Sequence, residues 1–223
     1  ALLTFRYPYA AAPALPTKVT ATQLKGREKD AEIAEGTAPV PRQRPLCRPA
    51  FLEGETLATA ADRGTATHAA MQYLDLDAAD GEAELERLER EGRITADQRR
   101  LADRAGIQRF LNSPLAEEMR RAQGLRREYR FSLLVPAEDY LGPEAAGEEV
   151  LLQGVVDCFF ETPEGLVVVD FKTDRVTEAT VRQRGEEYRA QVEAYSAALE
   201  RIFQKPVCRR LLYFLHIGAQ VEL

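Results

Sequence analysis

Two apolar segments separated by a short turn sequence constrain the fold of this chain more than any other feature. Thr162-Pro-Glu-Gly165 suits a type I β-turn, because proline fixes φ at the second position and glycine is favoured at the fourth. The flanking segments 150–160 and 166–171 are rich in valine, leucine and phenylalanine. They predict two antiparallel strands that are buried on both faces.

The turn also fixes a register that brings two carboxylates together. If its end residues pair, Asp157 faces Asp170 on the same face of the hairpin. Directly opposed Cβ atoms lie about 4.5–5.5 Å apart, so two carboxylates in apolar surroundings need a cation or a shared proton. Lys172 returns to the same face two residues later. The alternative is that these charges merely end a strand and solvate its edge, and a one-residue bulge at the turn would undo the register.

Segments outside the hairpin predict helices before it and a helix and a strand after it. Periodicity and composition predict the following elements: a helix over 65–76, two or three helices over 83–110, a strand over 129–135, one long helix over 178–203, and a strand over 211–216. The fold class is therefore α/β, with a sheet of mixed direction flanked by helices.

Proline is concentrated at the start of the chain. Seven of the twelve prolines fall within the first 49 residues, which predicts a connector or surface-wrapping segment over 1–60, with one short helix beginning in 20–24. We expect the folded domain to occupy 61–223.

Composition excludes several classes of protein. No apolar run is long enough to span a bilayer, the three cysteines form no metal-binding pair and indicate reduced, cytoplasmic thiols, and no P-loop is present. Thirty-six acidic and thirty basic residues give a net charge of -6, so the field of the whole molecule would repel DNA. If DNA is the substrate, another component must deliver it.

Four motifs in order resemble those of the PD-(D/E)XK nucleases, and more closely those of the RecB-like branch. They are Gly64-Thr-Ala-Thr-His68, Gly154-Val-Val-Asp157, Asp170-Phe-Lys-Thr-Asp174 and Gln191-Val-Glu-Ala-Tyr195. Over nearly the whole chain, Leu24-Lys-Gly-Arg27, Arg63 to His68, and Leu211-Leu-Tyr-Phe214 are similar to the C-terminal nuclease domain of the AddA subunits of AddAB helicase-nucleases. Val156 stands where the pattern has proline, which leaves the carboxylate of Asp157 in place.

The resemblance implies a restriction-endonuclease-like fold with extra N-terminal helices and a metal-dependent deoxyribonuclease. It would cut single strands delivered by a helicase motor during the processing of double-strand break ends. The motor would lie N-terminal to Ala1 in a longer polypeptide, and an AddB-like subunit would be the partner.

Roles for individual residues follow from their chemistry and from this resemblance. Asp157 and Asp170 would hold Mg²⁺, for which Mn²⁺ can substitute, because hard cations prefer carboxylate oxygens. Lys172 would steady the attacking water or the charge that grows on the phosphate oxygens. The resemblance adds as metal ligands His68 and the Phe171 carbonyl, as phosphate contacts or supports Gln191 and Tyr195, and as a weaker electrostatic contributor Glu128.

Several of these assignments have structural alternatives. His68 could be a packed core histidine, and the face that Tyr188 shares with Gln191 and Tyr195 could be ordinary amphipathic packing. The arginine-rich run 120–130 could track a strand of DNA or simply be a solvated face. For the whole chain, the alternatives are a stand-alone RecB-like exonuclease, disfavoured by the proline-rich start, the lack of an initiating Met and the acidic charge, and a scaffold that has lost catalysis, disfavoured by the intact charged motif.

Overall fold

The computed structural model describes residues 15–24 and 58–223, which form a six-stranded sheet with helices on both faces. The strands are β1 (Lys18–Thr20), β2 (Gln123–Pro136), β3 (Glu149–Thr162), β4 (Gly165–Lys172), β5 (Val207–Phe214) and β6 (Ala219–Glu222). The helices are α1 (Ala60–Tyr73), α2 (Gly81–Arg90), α3 (Ala96–Leu101), α4 (Arg104–Leu111), α5 (Pro114–Arg121), α6 (Glu138–Leu141), α7 (Val181–Glu186) and α8 (Arg189–Phe203), with 3₁₀ turns at Ala21–Leu24 and Pro143–Ala145.

Strand β3 organises the sheet. Along one side it pairs antiparallel with β2; along the other it pairs first with β1, in parallel, and then with β4, antiparallel. Strand β5 lies parallel to β4, and β6 lies antiparallel to β5. The predicted α/β class and the mixed strand direction are therefore confirmed.

The predicted hairpin register is confirmed where β3 and β4 pair. The ladder runs from Cys158 opposite Val169 to Thr162 opposite Gly165. Gly165 has φ of +148°, and a Cβ there would lie 2.3 Å from the Pro206 carbonyl oxygen. Only glycine fits this end of the turn, which fixes the register from which Asp157 and Asp170 are counted.

Alternate residues of the central strands supply two hydrophobic cores. Val168 packs in a cluster with Val192 and Leu199 of α8, whereas Val167 packs on the other face with Phe110 of α4 and Leu115 of α5. Every residue of β4 is buried, as the continuous apolar sequence predicts for a strand covered on both faces.

The boundaries of several helices differ from the prediction. Helix α1 begins five residues earlier than predicted, because Thr59 accepts a hydrogen bond from the Asp62 N–H and forms a capping box with it. The range 83–110 holds the end of one helix and two more, α2, α3 and α4, within the expected number. Neither α5 nor the short strands β1 and β6 was predicted.

The prediction of one helix over 178–203 is wrong. The segment forms α7 and α8, separated at Glu187 and Tyr188. The Tyr188 N–H bonds the Gly185 carbonyl at 2.9 Å, which closes α7, and Tyr188 becomes the N-cap of α8. The physical reason is a tertiary contact: the Tyr188 side chain bonds a residue beyond β4, as described below.

Part of the predicted connector belongs to the sheet. Val19 of β1 and Ala21 are buried in the same core as α8. Most of the proline-rich segment and the Lys25 to Arg27 part of one motif lie outside the described residues, and the division at residue 60 stays a prediction. In the ranges 15–24 and 58–223, no helix is long and apolar enough to cross a membrane.

Candidate active site

The candidate site lies where β3 and β4 separate. Pairing with β1 ends at Gln153 and pairing with β4 begins at Cys158, which leaves a gap in the ladders between them on this side of β3, within the described residues. In this gap, Oδ2 of Asp157 accepts a hydrogen bond from the Phe171 N–H at 2.9 Å. A side-chain carboxylate thus takes the place of a backbone partner, and it is held at the open end of the hairpin beside Asp170.

Asp170 is almost completely buried, at 2% exposure. Its Oδ2 contacts the Lys172 ammonium as an ion pair but accepts no hydrogen bond of good geometry. Burial raises the pKa of Asp170, Lys172 opposes that rise, and the charge of Asp157 adds to it. A buried carboxylate oxygen of this kind favours a nearby cation.

His68 reaches the site from α1. Its Nδ1 lies 3.4 Å from Oδ2 of Asp157, and its side chain is one-third exposed, so it is not the packed core histidine of the alternative interpretation. Burial lowers the pKa of His68 and is the largest single influence, but the hydrogen bond and charge of Asp157 and the charge of Asp170 outweigh it and give a net rise. A Cβ at Gly64 would lie 3.0 Å from Oγ1 of Thr173, so this glycine lets α1 approach the end of β4 closely.

Lys172 is surrounded by residues of α8. Its ammonium donates to Oε1 of Gln191 at 3.2 Å, and Nε2 of Gln191 donates to the Tyr195 hydroxyl at 2.7 Å. Both of these α8 residues are buried. A Cβ at Gly154 would lie 3.1 Å from the Tyr195 ring and 2.6 Å from that of Phe131, so the glycine of this motif makes room for the Tyr195 ring against β3.

Glu128 and Phe171 occupy the positions that the resemblance gave them, but in different ways. Glu128 has a left-handed φ of +50° and sits in β2 between residues paired with Cys158 and Val156, and so beside Asp157. Burial, followed by the charge of Asp157, raises its pKa. The Phe171 ring packs edge-on against Phe110 with ring centroids 5.0 Å apart, so its backbone is the part that can serve the site.

The donor groups fit a hard divalent cation, although they are not gathered into a complete set. Asp157 and Asp170 supply carboxylate oxygens and His68 an imidazole nitrogen, and one buried oxygen of Asp170 lacks a hydrogen bond. In the part of the chain that the structure describes, no three His, Cys, Asp or Glu side chains lie close enough together to hold a metal ion. The positive charge beside Asp170 is the Lys172 ammonium.

A cluster next to Lys172 was not assigned by sequence reasoning. The Tyr188 hydroxyl donates to Oδ2 of Asp174 at 2.7 Å, and Nε of Arg184 donates to Oδ1 of the same carboxylate at 3.0 Å. The Tyr188 ring lies over the Lys172 ammonium, 3.9 Å from ring centroid to nitrogen. The position of Asp174 in the charged motif was a signal, but nothing in the sequence connected it to Tyr188.

The arginine run 120–130 does not form one continuous strip. Arg120 donates to the carbonyls of Leu76 and Leu111, and Arg127 donates to that of Leu74, just beyond α1. These two guanidinium groups stabilise chain segments near helix ends. They are therefore unsuited to tracking a DNA strand.

The fold and this site define a nuclease of known class. The chain belongs to the PD-(D/E)XK nuclease superfamily, whose family model matches residues 42–221. Nucleases of this superfamily generally use a divalent metal ion, which agrees with the donor chemistry described above.

Individual relatives are more specific. The chain is 38% identical over 222 residues to an ATP-dependent helicase/nuclease subunit of Acetivibrio thermocellus, of the AddA type, covering 97% of this chain and 18% of that protein. It is 39% identical over 233 residues to the protein of the same name from Moorella thermoacetica, covering 99% of this chain and 16% of that protein. The chain thus spans less than a fifth of these relatives, and the predicted similarity to the C-terminal region of AddA is confirmed.

Proposed function

We propose that this chain is the nuclease domain of a helicase-nuclease, which hydrolyses phosphodiester bonds in single DNA strands that a motor delivers from double-strand break ends. The observation that carries the proposal is the juxtaposition of Asp157, Asp170 and Lys172 at the open end of the β3–β4 hairpin. The motor would be the helicase part of the same longer chain, an AddB-like subunit would be its partner, and the complex would work in the cytoplasm.

Each residue of the site has a role in this proposal. Asp157, Asp170, His68 and the Phe171 carbonyl would hold Mg²⁺ or Mn²⁺, which would supply positive charge to polarise the scissile phosphate. Lys172 would donate hydrogen bonds to the attacking water or to the phosphate oxygens as negative charge develops. Gln191 would orient the Lys172 ammonium, and Tyr195 would in turn orient the Gln191 amide.

A groove beside the site supports a path for the strand. It has a volume of about 1810 Å³ and lies between α1, α3, α4 and the segment that follows β4. Arg99 and Arg104, which line it, are paired with glutamates of α2. Arg63 and Arg175 are exposed in the same groove and form no salt bridge with another described residue. We assign these two arginines to contacts with the DNA backbone.

A cleavage assay tests the proposed function. With Mg²⁺ and labelled single-stranded DNA, the chain joined to its motor should cut the strand, and chelation of the metal should stop cleavage. Asp170→Asn should reduce the rate by at least about a hundredfold, because removing one preorganised charged group has effects of this size. Asp139→Asn, at an exposed position on α6, is the matched control and should leave the rate unchanged. Absence of cleavage with both Mg²⁺ and Mn²⁺ would refute the proposal, and retained DNA binding in that case would favour the scaffold alternative.

A further inference from the structure

Tyr188 is held at both ends of its side chain. The ring face lies on the Lys172 ammonium at 3.9 Å from the centroid, and the hydroxyl donates to Asp174 at 2.7 Å. Tyr188 is only 4% exposed. Burial, then the bond to Asp174, raises the pKa of Tyr188, so the phenol is protonated and donates.

The surrounding elements fix this arrangement. Arg184 of α7 donates to the same Asp174 carboxylate that accepts from Tyr188. The chain turns between α7 and α8 at Tyr188 rather than continuing as one helix. The segment after β4, the end of α7 and the start of α8 therefore all meet at one tyrosine ring.

A lysine ammonium needs such a partner more than an arginine would. Its flexible stem lets the charge take many positions, whereas an aromatic face attracts a cation through its quadrupole and most strongly where water is excluded. Lys172 is 8% exposed, and its other contacts are Asp170 and Gln191. The ring completes a three-sided environment that confines the ammonium beside Asp170.

We propose that Tyr188 is a positioning residue for Lys172, which acts through the face of its ring, and that Asp174 holds the ring in place. The inference rests on the proposed nuclease function, in which Lys172 stabilises developing charge. It assigns the final aspartate of the Asp-x-Lys-x-Asp motif to orientation of Tyr188, and it requires the ring more than the hydroxyl.

NMR of the metal-free protein tests the positioning directly. The chain has five lysines, so ¹³C-lysine labelling gives few signals, and the Lys172 signal is assigned by its loss in Lys172→Arg. The Lys172 side-chain protons should be shifted upfield by the ring current of Tyr188. That shift should persist in Tyr188→Phe and disappear in Tyr188→Leu. Tyr73→Leu is the control, since it removes an exposed ring 5.2 Å from Arg93 and should leave the Lys172 signal in place.

Kinetics separates the ring from the hydroxyl. Tyr188→Leu should lower kcat about tenfold with KM changed less than threefold, while Tyr188→Phe should remain within about threefold of the parent. If Tyr188→Leu does not fold, Asp174→Ala provides the comparison and should reduce both the upfield shift and kcat.

Three results would overturn the inference: a Lys172 signal that is unmoved in the leucine or alanine variant, an equal loss of activity in the phenylalanine and leucine variants, or a parental kcat in Tyr188→Leu. A parent protein that cuts no DNA would refute the nuclease function instead, and the NMR arm would still decide the positioning.

Discussion

Asp157 combines a structural and a chemical contact in one carboxylate. Its Oδ2 accepts the Phe171 N–H and also lies 3.4 Å from His68. The hydrogen bond holds the carboxylate at the place where the two strands separate, so it is preorganised before any ligand arrives. The cost of placing it near the buried Asp170 is offset by the Lys172 ammonium.

Lys172→Ala separates catalysis from folding at this scale. We expect the variant to stay folded and to bind metal, while single-strand cleavage with Mg²⁺ falls by at least about a hundredfold, because a preorganised positive charge is lost. Cleavage assays and circular dichroism measure the two effects. Lys205→Ala is the control, since Lys205 is half-exposed and pairs with Glu161 away from the site. Parental cleavage by Lys172→Ala would mean that this lysine serves the fold.

The two histidines of the chain form a natural pair for a metal-binding experiment. His68→Ala should weaken Mn²⁺ affinity about tenfold or more, because it removes a proposed ligand next to Asp157. His216→Ala, at an exposed position, should not change the affinity. Calorimetric titration of both variants gives the comparison, and equal affinities for the two would remove His68 from the ligand set.

At the scale of elements, the hairpin depends on Gly165 for more than its backbone angle. Gly165→Ala should lower the free energy of unfolding by about 3 kcal/mol or more, since the added Cβ meets the Pro206 carbonyl as well as an unfavourable φ. Gly147→Ala has a positive φ of +83° but no atom within 4 Å of the new Cβ, so it should cost only about 1 kcal/mol. Urea unfolding measures both variants. Similar losses would show that the contact with Pro206 contributes nothing.

The elements that could be predicted are those whose determinants are local. The turn sequence and the valine-rich strands dictated the β3–β4 register, and the resulting meeting of Asp157 and Asp170 followed from strand geometry. The division between α7 and α8 could not be predicted, because its cause is a bond from Tyr188 to Asp174, fourteen residues earlier. The short strand β1 was also missed, since a three-residue strand carries almost no periodicity and is fixed by pairing with β3.

At the scale of the whole molecule, charge and site are opposed only when the net charge is considered alone. The chain carries -6 overall, yet the exposed Arg63 and Arg175 lie in the groove beside the site. Local positive charge therefore coexists with a field that disfavours binding of DNA from solution.

DNA binding by the chain alone should be weak and strongly dependent on salt. Replacing Arg63 and Arg175 together by alanine should lower the dependence of log K on log salt by about 1.4, at about 0.7 per phosphate contact on a single strand. Arg90→Ala, at an exposed position on α2, is the control and should not change the slope. Fluorescence anisotropy across a salt series measures this, and tight duplex binding at physiological salt would contradict the need for delivery by a motor.

Calorimetric titration of Mg²⁺ and Mn²⁺ into the parent and into Asp157→Asn tests the central claim, that the paired carboxylates of the β3–β4 hairpin form a metal site. The parent should bind the cations, and Asp157→Asn should bind them at least about tenfold more weakly, because one charged oxygen ligand is lost while the side chain keeps its size. Equal binding by the two proteins would contradict the account, since the metal would then be held elsewhere.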